Sequence, residues 1–387
     1  MIIVSLTFVL FVLYAGLLLY YLKGWQSLAV FLINQSSKSE VIISVIIPAR
    51  NEEQNLPNLL KSLQAQTYGV ANFEVIIVDD HSTDDTGKIV STFPMSNLHL
   101  VRLADHVQEG LNSYKKKAIE VAIIQSKGEL IVTTDADCIV NSNWLETIAA
   151  FYAECKPSMI IMPVAINSNN SFISIFQSLD FMTLQGVTGG AVHQRLHAMC
   201  NGANLAYTRQ VFDEVNGFAG IDSLASGDDM LLMNKIQAHK PDSIRYLKSK
   251  NVIVSTEAMP DISAFLNQRI RWASKTSYYN HKPILISAAI VYFFNVALLV
   301  LPIVAIFNNQ SFNINSITFT TLSAWFYLLA AKIVVELFFL FPVARFFKQQ
   351  FLLYYFPFMQ PFHILYTVMA GALGKFGSYE WKGRKVK

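Results

Sequence analysis

The chain has 387 residues, enough for two or three domains, and its hydrophobic fraction of 53% is higher than a soluble protein usually needs. A formal net charge of +3 is too slight to argue for nucleic acid as a partner. Cys138, Cys155 and Cys200 are odd in number and show no CxxC spacing, which argues against a disulfide framework or a zinc site and fits a reducing compartment.

The hydrophobic excess is unevenly spread. Residues 2–22 form an uncharged apolar run long enough to cross a hydrocarbon core of roughly 30 Å. No Lys or Arg precedes it, it is long for a signal-peptide core, and it lacks a clear small-x-small cleavage site, so a membrane helix is expected rather than a removable leader. Lys23 and Lys38 follow it, which by the positive-inside rule places the next region in the cytoplasm. That region, residues 40–281, has the composition of an ordinary globular domain.

Val41–Ile47 reads as a β-branched strand, stopped by Pro48 and the polar loop Ala49-Arg-Asn-Glu-Glu53. Leu56, Leu59, Leu60 and Leu63 then recur at helical spacing between Asn55 and Gln66, with Pro57 tolerated near the start. Phe73–Val78 is a second buried strand, ending in Asp79-Asp80, and the polar turn His81-Ser-Thr-Asp-Asp-Thr86 suits a helix N-terminus. Leu98–Leu103 is a candidate third strand, and a helix is expected from about Ser113 to Gln125, opened by Lys115-Lys-Lys117. The run Glu129-Leu-Ile-Val-Thr-Thr134 is another buried strand, closed by Asp135-Ala-Asp137. Strand–helix alternation of this kind argues for an α/β fold with a mostly parallel, doubly wound sheet.

Two acid-tipped strands therefore point at one sheet edge, where open α/β sheets bind ligands. A nucleotide-diphosphate site needs such an arrangement, with one carboxylate for base or ribose and others for a metal on the phosphates. Hard carboxylate oxygens suit Mg²⁺ or Mn²⁺ shared with those phosphates. There is no GxGxxG and no GxxxxGK[ST], which argues against a dinucleotide fold and a P-loop.

Further along, Gly227-Asp-Asp229 opens a helix whose Met230, Leu231, Leu232 and Met233 face inward, so both acids could serve as an N-cap. Gln268-Arg-Ile-Arg-Trp272 precedes a second apolar run, 283–307, where Arg and Trp would also fit a membrane-interface belt. The second run and a third, 317–341, are both expected to be transmembrane helices; a fourth, 351–374, is interrupted by Pro357 and Pro361 and so read as either transmembrane or re-entrant. Lys332 and Glu336 lie one helical turn apart in the third run, which reads as a structural ion pair facing other helices. The basic tail, 375–387, suits an anionic membrane face.

In order and near-family spacing, Val45-Ile-Ile-Pro-Ala-Arg-Asn-Glu52, Val78-Asp-Asp-His-Ser-Thr-Asp84, Thr134-Asp-Ala-Asp137, Gly227-Asp-Asp229 and Gln268-Arg-Ile-Arg-Trp272 resemble the blocks of family 2, GT-A-fold inverting glycosyltransferases with membrane anchors. Asn201-Gly-Ala-Asn-Leu-Ala-Tyr207 resembles the acceptor-side loop of many such enzymes, and the likeness covers roughly residues 41–280. It implies that Asp80 holds the nucleobase, with Pro48, Arg50 and Glu52 in the donor region and Lys116 near the phosphates. It implies Asp137 as ligand to a Mg²⁺ or Mn²⁺, Asp135 bracing ribose or metal, and Arg271 on the diphosphate. Asp229 would be the base, Asp228 its support, and Asn201, Gly202, Asn204, Gln268 and Trp272 would face the acceptor.

The implied reaction moves a single hexose or N-acetylhexosamine from a nucleotide diphosphate sugar to a hydroxyl on a lipid-soluble acceptor. The implied setting is a multi-pass cell-membrane protein with its catalytic domain in the cytoplasm. Trp381-Lys-Gly-Arg384 is similar to a terminal W-x-G-R of ceramide-type glucosyltransferases, which implies a cytosolic tail. A processive polysaccharide synthase resembling hyaluronan or poly-N-acetylglucosamine synthases uses the same blocks, and a non-catalytic membrane scaffold on the same fold is a third reading.

Overall fold

The computed structural model describes residues 2–33, 39–107, 111–224, 226–275, 282–314, 317–376, 379–381 and 384–386. Lys38, the end of the expected 40–281 domain beyond 275, and Lys382 and Gly383 of the tail motif lie outside the described residues. In chain order the elements begin α1 (Ile2–Ser27), β1 (Ile43–Ala49), α2 (Leu56–Gln64), β2 (Phe73–Asp79), α3 (Thr86–Thr92) and β3 (Leu98–Arg102). There follow α4 (Tyr114–Gln125), β4 (Leu130–Thr133), α5 (Trp144–Cys155), β5 (Met159–Ile161), β6 (Val164–Asn167) and α6 (Phe172–His193). Then come β7 (Leu205–Thr208), α7 (Arg209–Glu214), α8 (Met230–His239), β8 (Ile244–Tyr246), β9 (Val254–Glu257) and α9 (Ile262–Ser274). The last part holds α10 (Lys282–Phe307), β10 (Ser311–Ile314), β11 (Ile317–Thr320), α11 (Thr321–Phe347), α12 (Phe356–Phe376), β12 (Tyr379–Trp381) and β13 (Arg384–Val386).

Two compact units divide these elements. One comprises Leu28–Asn167, Ala198–Glu257 and Trp381–Lys387. Its seven-stranded sheet runs β3-β2-β1-β4-β7-β5-β8. β1 pairs in parallel with β2 from Ile43↔Phe73 to Ala49↔Asp79, and with β4 from Ile43↔Leu130 to Ile46↔Thr133. These strands are buried along almost their whole length, which is why they read as continuous apolar runs rather than alternating ones. The sheet is mostly parallel but mixed: β7 runs antiparallel to both β4 and β5. Leu205–Thr208, which the sequence offered only as the end of a loop block, is that reversed strand. A small parallel pair, β6 with β9, forms a second sheet in this unit, and a further two-stranded sheet joins β12 with β13.

The other unit comprises Met1–Ser27, Ser168–His197 and Ala258–Glu380 and is almost wholly helical. Three of its helices, α1, α10 and α11, are long and apolar enough to cross a membrane. The run expected as a helix over 317–341 begins instead with β11, because Ile317–Thr320 pairs with Ser311–Ile314 in a hairpin; the helix starts at Thr321 and extends to Phe347. The run at 351–374 opens in a 3₁₀ turn, Gln350–Tyr354, before α12, which carries Pro361 internally. The continuous 40–281 domain is also revised: α6 and α9 cluster with the membrane-capable helices. Asp180 and the glycines 186, 189 and 190 dilute the apolar signal of α6. Two of those glycines, Gly186 and Gly190, have a packing role. A Cβ on Gly24 would sit 2.3 Å from the carbonyl oxygen of Gly190, and one on Gly190 would sit 2.3 Å from that of Tyr21. α1 and α6 thus meet backbone to backbone, the close approach that small residues allow between membrane helices.

The charges of α11 are satisfied inside this unit. Lys332 Nζ donates to Glu336 Oε1 (2.7 Å) and to Gln360 Oε1 (2.5 Å), while Gln360 Nε2 donates to Glu336 Oε2 (2.8 Å). The Tyr14 hydroxyl also donates to Glu336. All four residues are buried, so the pair expected from helical spacing is a closed network spanning α1, α11 and α12.

Candidate active site

In the sheet unit, β2 and β4 flank β1, and their carboxyl ends deliver the predicted acids side by side. Asp80 follows β2 directly and is almost fully buried; its N–H donates to Ala49 O at 2.8 Å. Arg50 Nη1 donates to the Asp80 carbonyl (2.9 Å) and lies 3.9 Å from its Oδ1, which is also 3.0 Å from His81 Nδ1. The loops after β1 and β2 are laced together. Thr83 N donates to Asn51 Oδ1 (2.9 Å), Asp85 N to Glu53 Oε2 (3.0 Å), and Glu52 N to Thr86 Oγ1 (2.8 Å). Asn51 and His81 adopt positive φ, 52° and 55°, which turns both loops sharply at this rim. Pro48 pairs in register with Val78, and the Glu52 carboxylate accepts from Asn55 Nδ2 (2.8 Å) at the start of α2.

Asp135 follows β4 by one residue, and its Oδ1 accepts from Lys115 Nζ at 2.7 Å. The same ammonium lies 3.2 Å from Asp228 Oδ2, so one lysine on α4 joins the β4 tip to the loop before α8. Burial alone would lower the Lys115 pKa; the charges of Asp135, Asp228 and Asp229 reverse this and raise it above the ordinary lysine value. Asp229 caps α8: its Oδ1 accepts from Met230 N (2.6 Å) and its Oδ2 from Gly202 N (3.3 Å). Gly202 comes this close because it lacks a side chain; a Cβ there would stand 3.0 Å from Asp228 Oδ2 and 3.4 Å from Lys115 Nζ. Thr133 Oγ1 anchors the glycine's carbonyl at 3.1 Å, and Asn201 Oδ1 closes the turn by accepting from Ala203 N at 2.9 Å. His81 meets Tyr114 edge to face, with ring centroids 5.6 Å apart, which carries the contact chain from Asp80 to the residue beside Lys115.

The donor set suits a small divalent cation that takes part of its shell from a substrate. Asp135 and Asp137 are partly exposed hard-oxygen ligands, and among the described residues no group of three or more His, Cys, Asp or Glu could hold a metal alone. Asp137 Oδ1 is 3.6 Å from Cys138 Sγ. Burial, reinforced by the charges of Asp137 and Asp135, pushes the Cys138 thiol well above its usual pKa and keeps it a neutral neighbour rather than a thiolate ligand.

Two sequence assignments change. Lys116, expected near phosphates, is buried, and its Nζ donates to the carbonyls of Ile221 (2.5 Å) and Leu224 (2.7 Å), tying down the chain that leads to Asp228. Its neighbour Lys115 is the lysine that reaches the acids, and helical phase along Lys115-Lys-Lys117 separates the two. Asn204, expected to face the acceptor, is fully buried; it accepts from Trp144 Nε1 (3.1 Å) and donates to Pro163 O and Val252 O (2.7 Å each). With those bonds made, it is a core strut. Gln268, Arg271 and Trp272 belong to α9 of the helical unit, where Gln268 accepts from Arg269 and Trp272 lies against Phe181.

A mostly parallel sheet with flanking helices, acid-tipped strands and a capped Gly-Asp-Asp loop defines the GT-A class of glycosyltransferase folds. The chain belongs to glycosyl transferase family 2: the model for glycosyl transferase family 2 matches residues 44–215 and that for glycosyl transferase family group 2 matches residues 130–372. It is similar to the glycosyltransferase AglE of Haloferax volcanii, 35% identical over 27% of this chain and 33% of that protein. It is also similar to a β-monoglucosyldiacylglycerol synthase from a Nostoc species, 28% identical over 60% of this chain and 48% of that protein. These matches span about half or less of the relatives' own lengths. In fold it resembles the mannosyltransferase PcManGT of Pyrobaculum calidifontis, solved with GDP-Man and Mn²⁺, with a TM-score of 0.59, 18% identity and coverage of 97% of this chain and 99% of that one.

Proposed function

We propose that this chain transfers a single hexose or N-acetylhexosamine from a UDP-type nucleotide sugar to a hydroxyl on a membrane lipid, with inversion at the anomeric carbon. The observation that carries this reading is Lys115, whose one ammonium holds the donor-side Asp135 and the base-side Asp228 together, with Asp229 alongside. Asp80, backed by Arg50 and Pro48, takes the nucleobase. Asp137, with Asp135, would hold a Mg²⁺ or Mn²⁺ that neutralises charge growing on the leaving diphosphate. Arg271 has the fork geometry to grip the same diphosphate.

Asp229 is the base. The N–H groups of Met230 and Gly202 donate to its carboxylate and hold it at the start of α8 beside Asp228. It takes the proton of the acceptor hydroxyl as that oxygen bonds to the anomeric carbon and the bond to the diphosphate breaks. Asn201, Gly202, Gln268 and Trp272 meet the acceptor. The lipid acceptor is supported by the three membrane-capable helices among the described residues and by the likeness to a β-monoglucosyldiacylglycerol synthase. We place the sheet unit on the cytoplasmic side, where nucleotide sugars are available.

The test is nucleotide release by purified full-length protein given UDP-sugars and lipid vesicles. Release that needs Mg²⁺ or Mn²⁺, stops with a chelator and yields one product of defined size supports the reading. A polymer ladder would instead favour a processive synthase, and no release with any donor a non-catalytic scaffold.

A further inference from the structure

The block Gln268-Arg-Ile-Arg-Trp272 carries two arginines with opposite surroundings. Arg271 is partly exposed, and its guanidinium has no hydrogen-bond or ion-pair partner among the described residues. Arg269, only 5% exposed, donates from Nε (3.1 Å) and Nη2 (2.7 Å) to Asp180 Oδ2 on α6. The other oxygen of Asp180 accepts from the Tyr366 hydroxyl on α12. The guanidinium's other contacts lie within α9. Nη1 donates to Gln268 Oε1 at 2.9 Å, and the cation lies 4.1 Å from the centroid of the Trp272 ring and 4.7 Å from that of Phe265. Phe265, Arg269 and Trp272 fall at i, i+4 and i+7, one face of α9.

We propose that Arg269 is a positioning residue for acceptor recognition: held by Asp180 and Tyr366, it fixes the plane of the Trp272 ring and the flip of the Gln268 amide. A guanidinium has donors only, so the atom of Gln268 that it meets is Oε1. Gln268 therefore turns its NH₂ away from Arg269 and offers donors, which select an oxygen atom on the acceptor as the group recognised there. Lysine could keep the charge opposite Asp180, but it has neither the planar face for Trp272 nor the second fork for Gln268. This inference rests on the proposed function, which assigns Gln268 and Trp272 to the acceptor.

Its test uses the full chain in lipid nanodiscs, labelled with 5-fluorotryptophan, the Trp272 resonance being assigned by Trp272→Phe. Arg269→Lys is expected to shift the Trp272 ¹⁹F resonance while leaving UDP·Mn²⁺ affinity within about twofold. With vesicles of total polar lipid from the expressing cells, it should lower the ratio of transfer to hydrolysis by roughly tenfold or more. The triple variant Asp180→Leu/Arg269→Met/Tyr366→Phe replaces the buried pair and the hydroxyl that donates to it with apolar side chains and should keep the melting temperature yet show the same loss of transfer. An unmoved Trp272 resonance in Arg269→Lys overturns the inference, as does a triple variant that melts normally and transfers normally. Wild-type protein with the expected resonance behaviour but no sugar turnover contradicts the proposed function instead.

Discussion

The two units each hold a lysine against carboxyl groups, and the two arrangements differ in what they leave open. Lys332 in α11 is closed in by Glu336 and Gln360, with Tyr14 completing the network, and all of these groups are buried. Lys115 in the sheet unit faces Asp135 and Asp228 from a site where its side chain is 22% exposed and that of Asp135 36%. A saturated, buried network can only hold helices together, since removing one member strands the others without water. A partly exposed one keeps contact with solvent and can exchange partners, which is the property the proposed donor site needs. The same residue types are thus closed off in one unit and open to solvent in the other.

That contrast breaks if the sheet-unit acids prove structural. Asp229→Asn is expected to cut turnover by about 10²–10⁴-fold while UDP·Mn²⁺ affinity, read by calorimetry, stays unchanged; a fully active variant removes Asp229 as base. Glu336→Ala should destabilise the helical unit by about 3–5 kcal/mol, with most of the loss recovered only when the whole network is replaced, in Tyr14→Phe/Lys332→Met/Glu336→Leu/Gln360→Leu, and with no effect on nucleotide affinity. Asn204→Ala orphans the Trp144 N–H and two carbonyls and should cost about 1–3 kcal/mol in melting experiments with the acceptor KM unmoved; a raised KM without loss of stability would return Asn204 to the acceptor. Lys115→Met sharpens the comparison from the other side. It should change stability by about 1 kcal/mol or less, as solvent-accessible ion pairs do, yet raise the donor KM.

The smallest expected effect is on pH. Burial pulls the Lys248 ammonium, which donates to Leu28 O at 3.0 Å, down to about 8. The unfolded chain then holds this proton more tightly than the fold does, so stability should climb from about pH 8 towards the ordinary lysine range, and Lys248→Met should flatten that climb in a melting-temperature profile.

Much of the sheet unit was legible in the sequence because its signals are local. β-branched runs lead to Pro48, Asp79-Asp80 and Asp135 at one sheet edge, although β1 starts at Ile43 and runs through Pro48 to Ala49 instead of stopping at the proline. The antiparallel β7 was not legible, because strand direction is set by pairing with β4 and β5, which no local pattern encodes. Neither was the choice between Lys115 and Lys116, adjacent residues whose roles depend on helix phase at the first turn of α4. Asn204 looked polar and available until its buried partners on Trp144, Pro163 and Val252 were seen. Arg269 is indistinguishable from Arg271 in the sequence for the same reason: its partners, Asp180 and Tyr366, are remote along the chain.

The most direct test of the central claim, that Asp229 and its neighbours place a single sugar on a lipid, is mass spectrometry of total lipid from cells expressing the chain or its Asp229→Asn variant. The account predicts one lipid class shifted by one hexose or N-acetylhexosamine in the first and absent in the second. Identical lipid profiles, or a series of polymers in place of one shifted class, would contradict it.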